Sequence, residues 1–297
     1  MKKFLIDIVW VILAGLVAWT AIEFVVMKKH NNYEYKHQYL EEHSIDIKTL
    51  LIGSSQFENS INPHLMGDSV FDAAIAQTWI YYNYLMLDKY IPKMKSLKTV
   101  IYPLPYLMPF SSYHNHGIGE YEKRNIYQYS AHFGLNYDRM PEKITGHSAL
   151  CMGIVVEAKE KVACDSIGYE PVFGQEPSWQ SNVDEPLDYS DPSFSSDTSE
   201  FTFYLAKIAE LCSQHEVRFI VVAPPFPNCY IEKTIDPKGD SIRYEIVDRV
   251  RKKYPVEYKD YLRHPDFRDD NMYVNCSHLN STGADKFAIL VKNDFGL

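Results

Sequence analysis

Cysteine is scarce in this chain, with five in 297 residues (Cys151, Cys164, Cys212, Cys229 and Cys276) and no CxxC pair. An odd set without metal-ligand spacing indicates no zinc site, and the one bridge it has room for is left unspecified. A P-loop, an HExxH motif and a GxSxG elbow are also missing, and Gly117 and Gly119 lack the third glycine of GxGxxG. No metal and no cofactor are expected. Basic charge is the lesser sign, 30 Lys and Arg against 39 Asp and Glu, for a net charge of −9. The first 30 residues carry +2 (Lys2, Lys3, Lys28 and Lys29 against Asp7 and Glu23), which leaves −11 on the remainder. An acidic body has no electrostatic reason to hold a phosphate backbone, so nucleic acid is not an expected partner.

What is present is a globular composition, 46% hydrophobic and 23% charged, which excludes disordered, collagen-like and coiled-coil chains. Aromatics reach 14%, led by 23 Tyr, enough for a large core and for a surface that meets rings or sugars. Residues 4–27 are apolar apart from Asp7 and Glu23 near the two ends. As a helix they would span about 36 Å, against a hydrocarbon core of about 30 Å. A cleavable signal peptide is the rival reading. The apolar run is long for one, and bulky Leu16 and Trp19 stand two residues before the candidate cleavage points at Ala18 and Ala21. An uncleaved signal anchor over residues 1–30 is therefore expected. Basic residues flank it on both sides, so charge alone does not orient it; an extracytoplasmic body is the expectation.

Residues 31–47 read as a stalk or short helix, and residues 48–297 as one α/β domain with an insertion at about 108–200, in which 183–200 is an acidic, Ser/Pro-rich loop. Strand-like runs at 48–52, 69–73, 99–102, 217–223 and 256–258 alternate with helical patterns at 79–94, 201–215, 241–254 and 283–292. Short apolar strands separated by helices specify an α/β fold, a doubly wound parallel sheet flanked by helices in a three-layer, flavodoxin-like arrangement. No internal repeat is visible. In such a sheet ligands bind beyond the carboxyl ends of the strands.

Two short stretches fall there. Gly53-Ser54-Ser55 follows the first strand, where a turn exposes a serine hydroxyl and supplies a backbone donor for an oxyanion. On its own this is an ordinary turn. His278 precedes the last helix, on a loop at the sheet's rim, and alone would be a surface or capping residue. Paired with an exposed serine it becomes a candidate general base. Cys276 reads as a small buried hydrophobe, and the cluster Tyr81, Tyr82, Tyr84 and Tyr90 as packing, with sugar stacking as the alternative.

The order of a Gly-x-Ser turn after the first strand and a C-terminal His-Leu-Asn-x-x-Gly-Ala block resembles the SGNH/GDSL hydrolase superfamily. The N-terminal anchor and the Ile-Gly-Ser-Ser form are similar to its membrane-anchored members, the DltD-like proteins and their relatives in polysaccharide O-acetylation. The resemblance implies Ser55 as nucleophile, His278 as base, and an oxyanion held by the N–H groups of Ser55 and Ala74. It implies an esterase or O-acyltransferase acting on acyl esters of cell-envelope polysaccharide beside an integral-membrane acyltransferase partner. The family's acid position, three residues before the histidine, is Asn275 here, and its third-block asparagine is missing from YPLPYLMPF, where Tyr106 is the nearest polar side chain. In the serine-protease template an Asp-to-Asn change costs about 10⁴ in turnover, roughly 5.4 kcal/mol. Asp269 or Asp270 would have to fold back to replace the charge. A catalytically inactive scaffold or glycan-binding protein of the same fold is the alternative from another class.

Overall fold

A computed structural model of the chain describes residues 2–27, 31–110, 120–135, 162–176, 179–181, 198–235 and 237–297. Gly117, Gly119, Cys151 and most of the acidic stretch at 183–200 lie outside the described residues. The chain divides into two compact units, residues 1–37 with 118–163, and residues 38–117 with 164–297.

In the first unit, helix α1 (Lys2–Met27) carries the apolar run, and Phe4, Trp10, Val11, Val17 and Phe24 stand exposed along it. It is long and apolar enough to cross a membrane, with a mean hydropathy of 2.3 over its most apolar 18 residues. Helix α2 (Asn32–His43) follows, and the division between the units falls within it. Its first turn packs on helix α5 (Glu120–Ala131): Asn31 Nδ2 donates to Gln128 Oε1 at 3.1 Å, and Tyr33 meets the edge of Tyr129 at 5.2 Å.

The second unit is built on five parallel strands, β1 (Thr49–Leu51), β2 (Val70–Asp72), β3 (Thr99–Pro103), β4 (Arg218–Ala223) and β5 (Glu257–Asp260), in the order β2-β1-β3-β4-β5. The inner strands are buried on both faces, so their sequences are near-continuous apolar runs. Leu51, Ile101 and Ile220 stand in register and pack with Phe287, Ala288 and Val291 of helix α9 (Ser281–Phe295). Tyr102, alternating to the other face, meets Phe201 of helix α6 (Ser199–Gln214). Each fully buried Leu, Ile or Val contributes about 1.5–3 kcal/mol. Between α6 and helix α4 (Ile80–Tyr90) the tyrosines pack on one another, Tyr81 on Tyr204 at 5.1 Å and Tyr84 on Tyr204 at 5.9 Å. The tyrosine cluster thus serves packing.

The helix–sheet–helix order matches the fold class expected from the sequence, and element ends differ where local chemistry allows more. Pro92 converts the end of α4 into a 3₁₀ turn at Ile91–Lys93. Helix α8 (Pro237–Arg251) starts four residues before the periodic pattern at 241, because proline fits a first helical turn. His278, expected on a loop, lies in strand β7 (His278–Leu279), paired antiparallel with β6 (Tyr273–Asn275). Helix α7 (Asn228–Thr234) lies between β4 and α8.

Candidate active site

In the order 2-1-3-4-5 the chain leaves β1 to one side for β2 and returns on the other side for β3, so the switch point lies at the carboxyl end of β1. There the chain must pass Pro103, the last residue of β3. Gly53 has φ +143°, and a Cβ built on it would stand 2.5 Å from Pro103 Cδ. Only glycine satisfies both the dihedral and the space. Ser54 then caps the short helix α3 (Ser55–Glu58), and its carbonyl accepts from the N–H groups of Phe57 and Glu58. Ser55 is the first residue of that helix, half-buried, with its hydroxyl at the strand end.

The β6–β7 hairpin is fastened to α3 and the turn after it from both sides of the histidine. Gln56 Nε2 donates to the Ser277 carbonyl at 2.6 Å, and the Leu279 N–H donates to Ser60 Oγ at 3.1 Å. Behind it, Asn280 caps α9 by accepting from the Gly283 N–H at 3.1 Å and donates to the Asn271 carbonyl at 2.7 Å. A Cβ at Gly283 would stand 2.4 Å from the Met272 carbonyl, which accounts for the glycine of the Asn-x-x-Gly block.

With residues 277 and 279 held, His278 Nε2 lies 2.8 Å from Ser55 Oγ across 223 residues of sequence. On the other side of the ring Nδ1 lies 3.0 Å from Asn275 Oδ1 and 2.9 Å from Ser277 Oγ. The chemistry of the partners sets the proton positions. Asn275 Oδ1 accepts the Ser277 N–H at 3.1 Å, and its Nδ2 donates to Glu176 Oε1 at 3.1 Å. Both contacts place the carboxamide oxygen toward the ring, so Nδ1 carries the hydrogen and Nε2 presents its lone pair to the Ser55 hydroxyl. The opposite tautomer would set two acceptors 3.0 Å apart. Burial pushes the His278 pKa below its ordinary value, with the carboxylates of Glu176 and Glu58 opposing in part. The ring is therefore a neutral base at neutral pH.

Of the residues singled out from the sequence, Ser55, Asn275 and His278 meet here, and Ala74 is engaged elsewhere. Its N–H donates to Asp72 Oδ1 at 2.8 Å, closing a turn on a fully buried carboxylate. Neither nearby aspartate takes the place of the missing acid: the ring's Nδ1 meets Asn275 and Ser277, and Asp269 Oδ1 accepts from the Asn271 N–H at 3.0 Å. Tyr106 is buried against Phe110, Phe226, Tyr230 and Leu262. Cys276 packs, partly buried, on the core. Cys164, Cys212, Cys229 and Cys276 are free thiols, and among the described residues no group of three or more His, Cys, Asp or Glu is placed to hold a metal.

Glu176 is the residue that reading the sequence missed. It belongs to a strap that follows the sheet's edge, where Ile167 O accepts from the Asp72 N–H at 2.9 Å and Val172 O from the Ser281 N–H at 2.8 Å. Its own N–H donates to Val274 O at 2.8 Å. No periodic pattern or motif marks it.

No protein-family model matches the chain, and no curated protein does. Among solved structures the chain is similar to a candidate acylhydrolase from Bacteroides fragilis NCTC 9343, at 11% identity and a TM-score of 0.40, covering 87% of this chain and 94% of that one. It is also similar to a GDSL-like lipase from Bacteroides thetaiotaomicron VPI-5482, at 13% identity and a TM-score of 0.42, covering 90% of this chain and 98% of that one.

Proposed function

We propose that this chain is a serine esterase or O-acyltransferase that works through an acyl-enzyme on Ser55. The observation that carries the reading is the 2.8 Å contact between Ser55 Oγ and a His278 ring whose tautomer is set for a base. Nε2 takes the hydroxyl proton as Oγ bonds to the carbon of an ester carbonyl, and the imidazolium returns that proton to the departing alkoxide. Water, or a sugar hydroxyl in the transferase case, then gives its proton to Nε2 and attacks the acyl group, releasing Ser55. The Ser55 N–H begins α3 and has no acceptor within the helix, so it serves as an oxyanion donor. The Ala74 N–H contributes only if it leaves Asp72.

The apolar α1 supports anchoring in a membrane, and a catalytic unit outside the cytoplasm is part of the proposal. The resemblance to envelope acyl-transfer proteins supports an acylated polysaccharide as substrate and an integral-membrane acyltransferase as partner. A non-catalytic scaffold or glycan-binding role is favoured by one observation, the engagement of the Ala74 N–H.

The test is labelling of the full chain, in detergent, with a fluorophosphonate. Wild type is expected to label, and Ser55→Ala and His278→Ala are expected to lose labelling while keeping their circular dichroism. A folded wild-type protein that does not label sinks the acyl-enzyme reading and leaves the binding role.

A further inference from the structure

We propose that Glu176 is a positioning residue that lets an asparagine stand where a triad carboxylate would, holding the Asn275 carboxamide in the productive flip and supplying the missing negative charge through it. The inference rests on the acyl-enzyme reading. Replacing a triad aspartate by asparagine is costly because a carboxamide is free to turn its NH₂ toward the imidazole, which enforces the wrong tautomer and removes the anion that stabilises imidazolium. Here the NH₂ end is committed, since Asn275 Nδ2 donates to Glu176 Oε1 at 3.1 Å. The carboxamide oxygen is then left to accept from His278 Nδ1 at 3.0 Å, and the polar chain runs Glu176, Asn275, His278, Ser55.

The carboxylate is held in place by its own backbone, through the Glu176 N–H on Val274 O in the same strand as Asn275. Two carboxylates act electrostatically on the ring, Glu176 and Glu58. Glu58 is buried and its Oε2 accepts the Ala76 N–H at 2.6 Å, so it ties α3 to the loop after β2. Only Glu176 reaches His278 through the orienting side chain. It is exposed, so its charge is partly screened and its effect is a modest factor, not the full penalty of a lost triad acid.

The experiment combines three variants with two readouts, on the full chain in detergent: the rate of fluorophosphonate labelling, and the His278 imidazole titration followed by NMR. Glu176→Gln keeps an acceptor for Asn275 Nδ2 and removes the charge; it is expected to label about five- to tenfold more slowly and to titrate at lower pH than wild type. Asn275→Asp alone places a carboxylate directly on His278 Nδ1 and is expected to raise the pH at which His278 titrates. Asn275→Asp with Glu176→Gln moves the acid to position 275 and is expected to restore the wild-type rate or exceed it, while the titration shift in Glu176→Gln is what a purely structural role for Glu176 would not produce. Labelling of Glu176→Gln within twofold of wild type with an unmoved titration overturns the inference and leaves the acyl-enzyme reading standing. A titration that moves in a protein that never labels supports the electrostatic link and removes the acyl chemistry. An unmoved titration in a protein that never labels overturns both.

Discussion

A Cβ at Gly53 would stand 2.5 Å from Pro103 Cδ and 2.6 Å from Pro103 Cγ, at a φ of +143° that side-chain-bearing residues rarely adopt. Two residues later comes the proposed nucleophile, so strain at Gly53 is relieved by moving Ser55. Gly53→Ala is expected to destabilise the protein by about 2–4 kcal/mol through the combined dihedral and steric cost, and to lower labelling of Ser55 in whatever remains folded. Chemical denaturation together with the labelling rate checks both parts; a variant as stable and as reactive as wild type would show that the turn relaxes freely. The same scale governs His278, whose neighbours are tied down by Gln56 and Ser60 so that the ring itself has little freedom.

Among elements, the hairpin of β6 and β7 is small: two short strands joined by a turn, marginal in water by themselves. Its stability is borrowed from α9, whose N-cap Asn280 both accepts the Gly283 N–H and donates to Asn271 O. Asn280→Ala removes a cap and leaves the Asn271 carbonyl without that donor. It is expected to cost about 1–2 kcal/mol of stability. Labelling should fall further than the fraction unfolded accounts for, because the element lost is the one that carries His278. Urea denaturation read beside the labelling rate distinguishes this from a simple stability loss, in which the two would fall together.

For the whole molecule, the charge and hydropathy distribution separates an apolar leading helix from an acidic body. Exposed Phe4, Trp10 and Phe24 leave α1 with an apolar surface that water does not accommodate at this length. The full chain is expected to sediment with membranes, to resist extraction by high salt and by alkaline carbonate, and to be released by detergent. Release by carbonate would show that α1 does not span. In the proposed function, an anchor of this kind would tether the Ser55 site to a bilayer, which would suit transfer from a membrane-embedded donor.

The layering of strands and helices was legible in the sequence because it is local chemistry. Buried parallel strands are apolar runs a few residues long, glycine and proline punctuate them, and an amphipathic pattern needs only its own neighbours. Ser55 was legible as a hydroxyl after a strand, His278 by its place before the last helix, and Asn275 only through the resemblance, as the family's acid position. Tertiary structure alone decided three things. The packing of the β6–β7 hairpin against Gln56 and Ser60 brought His278 to Ser55 across 223 residues. The turn at Asp72 took up the Ala74 N–H, which a backbone donor's sequence position does not reveal. Finally, Glu176, 99 residues from Asn275 and on a strap without strand or helix period, came to lie against the carboxamide. Which way an amide turns, and so which nitrogen of a histidine carries the proton, depends on the groups at both of its ends, and only the folded chain brings those together.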